Sequence, residues 1–131
     1  MKKVGLINQP LSHVIAGMGH LDAVVISDAG LPIPAHVQRV DLAIKSGMPP
    51  FIDVLQAVLS EMQVESAIVA AEIKTKSSDM HRRLVATLGD IPIRYVSHDH
   101  FKQQTHNARA IVRSGEFTPF SNVILVAGVV F

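Results

Sequence analysis

Side chains that could move protons or hold a polar ligand lie near the ends of predicted strands. Asp28 directly follows the apolar segment 23–27, and His98 follows the apolar segment 91–96. Ligands of open α/β sheets bind beyond the carboxyl ends of strands, so both residues are candidate site residues. His20 precedes the segment 23–27, so only a folded-back loop or a neighbouring subunit would bring it to Asp28 if the two lie at opposite ends of that strand. Imidazole and carboxylate groups together suit general acid–base chemistry on a neutral polar ligand.

The sequence lacks the signatures of several other kinds of site. It contains no Cys, which excludes disulfides, iron–sulfur clusters and thiolate zinc sites. Residues 17–20, Gly-Met-Gly-His, are too short for a nucleotide-binding loop, and no Gly-x-Ser-x-Gly string is present. His98 and His100 could bind a metal from one face of a strand, but no third ligand follows at a recognisable spacing, so we expect no metal. The remaining histidines are interpreted as surface or hydrogen-bonded residues: His13, His36, His81 and His106.

The composition indicates one domain, residues 1–131, without nucleic-acid or membrane partners. Hydrophobic residues make up 48% of the chain and aromatic residues only 5%, so the core must consist mainly of Val, Ile, Leu and Ala. The 12 basic residues nearly balance the 11 acidic ones and are scattered, which argues against binding to phosphate-rich surfaces. The amino-terminal segment is too polar for a signal peptide, and no apolar run reaches the roughly 18 residues of a membrane helix. We therefore expect a cytoplasmic protein.

Apolar segments rich in β-branched residues alternate with amphipathic segments along the chain. This pattern predicts an α/β fold, a single layered domain whose mostly parallel or mixed sheet is flanked by helices. Helices are predicted over residues 10–18, 51–62 and from 77 or 78 to 88, and a short helix or turn over 98–107. Strands are predicted over residues 23–27, 39–44, 66–73, 91–96, 108–113 and 123–129.

The carboxyl-terminal segment is apolar from residue 123 to Phe131. Chain termini are normally solvated, so such a segment needs cover. It is either an interior strand of the sheet or a surface that a second copy of the chain covers, and the pattern alone does not decide between them.

Short strings along nearly the whole chain resemble the D-ribose pyranase and L-fucose mutarotase family. The two most specific are Asp-Ala-Gly-Leu-Pro-Ile-Pro at residues 28–34 and Gly-Glu-Phe-Thr-Pro at residues 115–119. Others are Gly-His-Leu-Asp at 19–22, Asp-Leu at 41–42, Glu-Ile-Lys at 72–74, Ser-His at 97–98 and Phe-Lys at 101–102. The details resemble the ribose branch more than the fucose branch.

The resemblance implies both an activity and an assembly. The activity is interconversion of the pyranose and furanose forms of D-ribose, with no cofactor. The assembly is a ring-shaped homo-oligomer, a decamer, with sites where subunits meet. By this likeness His20 is the proton donor, and the sugar-binding residues are Asp28, His98, Phe120, Ser121 and Asn122.

The sequence departs from the family pattern at two of these positions. The family's Tyr-Ala-Asn string falls on Phe120, Ser121 and Asn122, so the phenolic hydroxyl is missing and Ser replaces Ala. This difference concerns sugar preference more than reaction type. Two other functions stay open on the sequence: a non-catalytic sugar-binding protein that accompanies a transport system, and a metal hydrolase built on His98 and His100.

Overall fold

Six strands form one mixed sheet in the computed structural model, which describes all residues from Met1 to Phe131. The strands are β1 (Ala23–Ser27), β2 (Gln38–Asp41), β3 (Val64–Ala70), β4 (Ile93–Val96), β5 (Ala110–Arg113) and β6 (Val123–Ala127). The helices are α1 (Gln9–Ala16), α2 (Phe51–Leu59), α3 (Ile73–Lys76), α4 (Ser78–Leu88) and α5 (His98–Thr105). The strand order is β2-β5-β1-β6-β3-β4. The predicted α/β fold class, with helices flanking a mixed sheet, is confirmed.

Five strands run in the same direction, and β6 runs against them. β1 and β2 are both parallel to β5, and β3 is parallel to β4. β6 lies between β1 and β3 and is antiparallel to both. One end of the sheet, here called the carboxyl end, therefore collects the carboxyl termini of five strands and the amino terminus of β6. The other end, here called the amino end, collects the opposite termini.

Each face of the sheet has its own hydrophobic core, because successive strand residues point to opposite faces. On β1, Val24 and Ile26 belong to the larger core and Val25 to the smaller one. Apolar residues of α1, α2 and α4 close the larger core. Phe101 of α5 and apolar residues of the segment 31–37 close the smaller core. None of the helices is long and apolar enough to cross a membrane.

The boundaries of the elements differ from the predicted ones mainly where the chain turns. Helix α1 begins after Asn8, whose side chain accepts a hydrogen bond from the N–H of Leu11, and it ends before the predicted residue 18 because Gly17 caps its carboxyl terminus. Strand β3 was predicted over 66–73 but spans Val64–Ala70. The strand was predicted too far because Ile73 is apolar. In the structure Ile73 is the first residue of α3, where it is fully buried.

The carboxyl-terminal segment is partly an interior strand and partly exposed. Strand β6 pairs with a neighbour on each side and is almost completely buried. Beyond it the chain leaves the sheet at the amino end, where Val130 is 85% exposed and Phe131 101% exposed. The interior-strand interpretation therefore holds up to Ala127 only.

Candidate functional site

A cavity of about 490 Å³ opens at the carboxyl end of the sheet. The segments that follow β1 and β4 and the loop that joins β5 to β6 form its walls. Of the residues singled out in the sequence, Asp28, His98, Phe120 and Asn122 line this cavity. The remaining lining residues are Ala29, Gly30, Leu31, Pro32, Arg113, Glu116, Phe117 and Pro119. A pocket of this size, with a few polar groups among apolar ones, suits a small ligand.

Asp28 and Asn122 form a reciprocal pair although they are far apart in the sequence. The backbone N–H of Asp28 donates to Oδ1 of Asn122, and Nδ2 of Asn122 donates to Oδ2 of Asp28, both at 2.9 Å. The N–H of Gly30 donates to the other carboxylate oxygen at 3.0 Å. The pair forms because β6 lies directly beside β1. A carboxylate has about four acceptor positions, so two remain for the hydroxyls of a ligand.

His98 is the first residue of α5, and its backbone is fixed at both ends of the turn. Its N–H donates to both carboxylate oxygens of Glu72 at 3.0 Å, and Oγ of Ser97 accepts from the N–H of His100 at 3.2 Å. The hydrogen bond from His98 lowers the pKa of Glu72 below its ordinary value. Nδ1 of His98 is buried and has no hydrogen-bond partner within the chain. His98 as a residue lines the cavity, but this nitrogen of its ring is itself buried.

Phe120 and Ser121 lie side by side in the chain but differ in their access to the cavity. Phe120 has a φ of +63°, a left-handed conformation that non-glycine residues adopt mainly under constraint. Its ring meets the His98 imidazole edge to face, with 5.0 Å between the ring centroids. Ser121 is fully buried, its hydroxyl has no partner, and it is not among the cavity-lining residues.

His20 lies at the amino end of the sheet, away from the cavity. It is exposed in the turn before β1, and its Nε2 lies 2.9 Å from Oε2 of Glu65. Strand β1 has 5 residues and separates His20 from Asp28 by roughly 17 Å at 3.3–3.4 Å per residue. Within one copy of the chain, His20 and the cavity residues do not form a common site, as their order along the sequence suggested.

Comparison with known proteins decides the family. Residues 1–130 match the model of the RbsD / FucU transport protein family. The chain belongs to this family. Two D-ribose pyranases, from Maridesulfovibrio salexigens and Coprothermobacter proteolyticus, are 51% and 52% identical to it, each over 100% of both chains. The resemblance carried by the short strings is thereby confirmed.

Solved structures of RbsD and of a fucose mutarotase share the fold. RbsD of Bacillus subtilis, solved in complex with D-ribose, is 45% identical to this chain. The two structures superpose with a TM-score of 0.97, and the alignment covers 100% of each chain. A fucose mutarotase of Streptococcus pneumoniae, solved with L-fucose, has a TM-score of 0.75 over 95% of each chain. It is 24% identical and supports the fold alone.

Sequence reasoning gave no role to Glu116, although it lies in one of the two most specific strings. Its carboxylate accepts hydrogen bonds from the N–H of Phe51 at 3.2 Å and from the N–H and hydroxyl of Thr118 at 3.1 and 2.8 Å. Burial raises the pKa of Glu116, but these hydrogen bonds together outweigh burial and lower it below the ordinary value. The preceding Gly115 is required because a Cβ there would lie 2.3 Å from the carbonyl oxygen of Met48. The Gly-Glu string thus fixes one wall of the cavity.

Arg113 is a second cavity residue that sequence reasoning did not single out. Its Nη1 pairs with the Asp41 carboxylate at 3.0 Å, and its Nε donates to the carbonyl of Ala29 at 3.1 Å. The guanidinium therefore ties the end of β5 to β2 and to the loop after β1. The available signal was its position just before the Gly-Glu-Phe-Thr-Pro string at residues 115–119.

The His98 and His100 pair does not form a metal site of the kind considered from the sequence. Both residues lie in the first turn of α5, not in a strand, and residues two apart on a helix point to different sides. Nε2 of His100 pairs with the side chain of Gln104 at 3.0 Å. No group of three or more His, Asp or Glu side chains in the structure is placed to hold a metal ion.

Proposed function

We propose that this protein is an isomerase that interconverts the pyranose and furanose forms of D-ribose without a cofactor. The observation that carries the proposal is the cavity at the carboxyl end of the sheet, in a chain about half identical over its full length to D-ribose pyranases. The similarity to RbsD solved with D-ribose supports a monosaccharide ligand. A location in the cytoplasm stays a prediction.

The cavity residues bind the sugar in this proposal. The free acceptor positions of Asp28 take sugar hydroxyls, and Asn122 keeps the carboxylate in place through the hydrogen bonds at 2.9 Å. The imidazole of His98, a residue that lines the cavity, forms a hydrogen bond with a further hydroxyl. The ring of Phe120 supplies an apolar surface for a C–H face of the sugar. Ser121 lies behind this wall and contributes through its backbone, because its side chain is buried.

His20 of a neighbouring copy acts as the proton donor. Ring opening requires one proton on the ring oxygen and removal of one from the anomeric hydroxyl, after which the C1–O bond breaks to the open-chain aldehyde. Attack by a different hydroxyl of the chain then closes the other ring. One positioned acid contributes about 10²–10⁴-fold, which is enough for a reaction that also proceeds in water. Since His20 and the cavity lie at opposite ends of the sheet, each site needs two copies, and a closed ring of copies, as in a decamer, completes every site.

Saturation-transfer NMR on D-ribose tests the activity. Catalysis raises the exchange rate between ring-form signals in proportion to the protein concentration. A protein that binds ribose, shown by ligand line broadening, but leaves the exchange rate unchanged is the sugar-binding accessory protein instead, and the isomerase proposal is then wrong.

Mixed assemblies test whether two copies share each site. His20→Ala and Asp28→Asn should each lose more than about nine tenths of the catalysed exchange. When the two variants are dissociated, combined in equal amounts and reassembled, about a quarter of the sites unite an intact His20 with an intact Asp28 by random assortment. Recovery near that fraction supports the shared site, whereas a mixture as inactive as its components contradicts it.

A further inference from the structure

The side chain of His20 is held by Glu65 at the amino end of the sheet. Nε2 of the imidazole lies 2.9 Å from Oε2 of the carboxylate, and the two side chains are 50% and 42% exposed. An ionised carboxylate only accepts hydrogen bonds, so Nε2 carries the proton and donates it. Nδ1 is then the imidazole nitrogen that is available to another group.

An irregularity of the backbone places Glu65 in this position. The register between β3 and β6 shifts between Val64 and Ser66, so Glu65 is the extra residue of a β-bulge. Bulges redirect side chains and are over-represented beside active sites. Gly128 packs directly against this residue: a Cβ at Gly128 would lie 3.1 Å from the Cβ of Glu65. The chain after β6 thus packs closely against Glu65.

The backbone on both sides of His20 is fixed as well. The N–H of Gly19 donates to Oδ2 of Asp22 at 2.8 Å, and Nε of Arg109 holds Oδ1 at 2.9 Å. Hydrogen bonds from Gly19 and Arg109 lower the pKa of Asp22, so its carboxylate stays ionised below the ordinary range. The N–H of Leu21 donates to the carbonyl of Ala127 at 2.9 Å, and Leu21 has a φ of +69°. A strained and repeatedly tethered turn is typical of functional sites.

We propose that Glu65 is a positioning residue for ring-form exchange and that Nδ1 of His20 delivers the proton. This inference rests on the proposed function, in which His20 is the acid. In the imidazolium form Glu65 binds Nε2–H, and Nδ1–H faces the sugar that the neighbouring copy holds. The Nδ1–H bond breaks and an O–H bond forms on the ring oxygen, which also takes the electron pair of the breaking C1–O bond. The anomeric hydroxyl gives its proton to a water molecule, and its O–H electron pair completes the C=O bond of the aldehyde.

The pairing of His20 with Glu65 suits both ring opening, in which His20 donates a proton, and ring closure, in which it takes one back. After proton transfer the imidazole is neutral and keeps its remaining proton on Nε2, which Glu65 still accepts. The tautomer with a free, basic Nδ1 is therefore ready to take a proton back for ring closure. A carboxylate that orients a catalytic imidazole in this way acts through the histidine without touching the substrate.

Kinetics of matched variants test the role of Glu65. At saturating D-ribose, Glu65→Ala should lower the ring-exchange rate about 10- to 100-fold, the usual effect of losing such a partner. Half-saturation should change by less than about twofold, because the cavity residues are untouched. Glu65→Gln keeps an acceptor for Nε2–H but loses the negative charge, so its rate should lie between that of the parent and that of Glu65→Ala. Asp90→Asn, which removes an exposed carboxylate elsewhere, is the control and should leave the rate unchanged.

An NMR measurement without sugar separates this inference from the proposed function. In ¹H–¹⁵N spectra of the assembled protein we expect a downfield imidazole proton on Nε2 of His20, present in the parent and lost in Glu65→Ala. Absence of that proton from the parent, or a full exchange rate in Glu65→Ala while His20→Ala is inactive, overturns the role of Glu65. Failure of the parent to exchange ring forms overturns the proposed function instead. If Glu65→Ala fails to assemble, the exchange rate of Glu65→Gln decides. A rate as low as that of His20→Ala, or as high as that of the parent, contradicts the role of Glu65, because an intermediate rate is expected.

Discussion

Phe120 combines an unusual backbone conformation with a departure from the family pattern. Its φ of +63° places the ring against the His98 imidazole, with 5.0 Å between centroids. The Tyr that the resemblance predicts here would keep this packing and add a hydroxyl at the cavity. With Phe at this position, the ring contributes only apolar contacts, and Nδ1 of the adjacent His98 has no hydrogen-bond partner within the chain.

We expect Phe120→Tyr to tighten D-ribose binding about two- to thirteenfold, the effect of one neutral hydrogen bond of about 0.5–1.5 kcal/mol. The maximal exchange rate should change little, because the proton donor is His20. Calorimetric titration measures the affinity, and saturation-transfer NMR measures the rate. An unchanged or weaker affinity would mean that the ring at 120 does not face the sugar, and D-ribose would then be the doubtful part of the proposed function.

Helix α2 begins without a capping side chain of its own. Its N-cap residue is Pro50, which provides no side-chain hydrogen bond. Glu116 supplies the missing acceptor from the loop after β5, because its Oε2 accepts from the N–H of Phe51 at 3.2 Å. The carboxylate also faces the positive end of the helix dipole. One residue therefore joins the start of α2 to the cavity wall.

We expect Glu116→Gln to lower the free energy of unfolding at neutral pH by about 0.5–2 kcal/mol, the usual value of a helix cap. The pKa of Glu116 is lowered in the folded protein, so its stabilising effect is complete above its unfolded pKa. The effect disappears as the pH falls from about 4.3 through the lower folded pKa. Urea denaturation at matched protein concentration should show the difference between parent and variant shrinking over that range. A difference that is constant with pH would contradict the assignment to the carboxylate.

An exposed apolar patch lies beside the His20 turn at the amino end of the sheet. Its members are Leu21, Val129, Val130 and Phe131, which are 63%, 42%, 85% and 101% exposed. The N–H of Leu21 donates to the carbonyl of Ala127, so the turn and the segment after β6 are connected. An apolar patch next to a proposed proton donor fits a surface that docks on the cavity of the next copy.

We therefore expect an assembly larger than a dimer, and Val130→Asp should break it, because a buried unpaired charge opposes docking. Multi-angle light scattering should give several times the chain mass of 14.2 kDa for the parent and a smaller species for the variant. Ring exchange should fall with assembly while circular dichroism shows that the chain stays folded. A monomeric parent that is fully active would contradict the shared site, and an assembled, active Val130→Asp would exclude this patch from the interface.

The order of the strands and of the longer helices, and half of the site, were predictable because they depend on local patterns, whereas the short helix α3 was not predicted. Apolar β-branched segments marked all six strands, with boundaries wrong by a few residues where capping and turns decide them. Asp28 directly follows β1 and His98 comes two residues after β4, and these strands run in the same direction, so their placement at one end of the sheet follows from chain order. The position of His20 at the other end of β1 follows from the same reasoning.

Only the tertiary structure decided which distant residues meet. Asn122 reaches Asp28 because β6 inserts antiparallel between β1 and β3, and no periodicity in the sequence specifies that neighbour. Glu65 reaches His20 because a bulge in β3 redirects its side chain. Glu116 reaches the first residue of α2 from the loop after β5, which is distant from α2 in the sequence. These contacts depend on strand pairing and loop closure over long sequence separations, whereas hydrophobic periodicity records only which face of an element is buried.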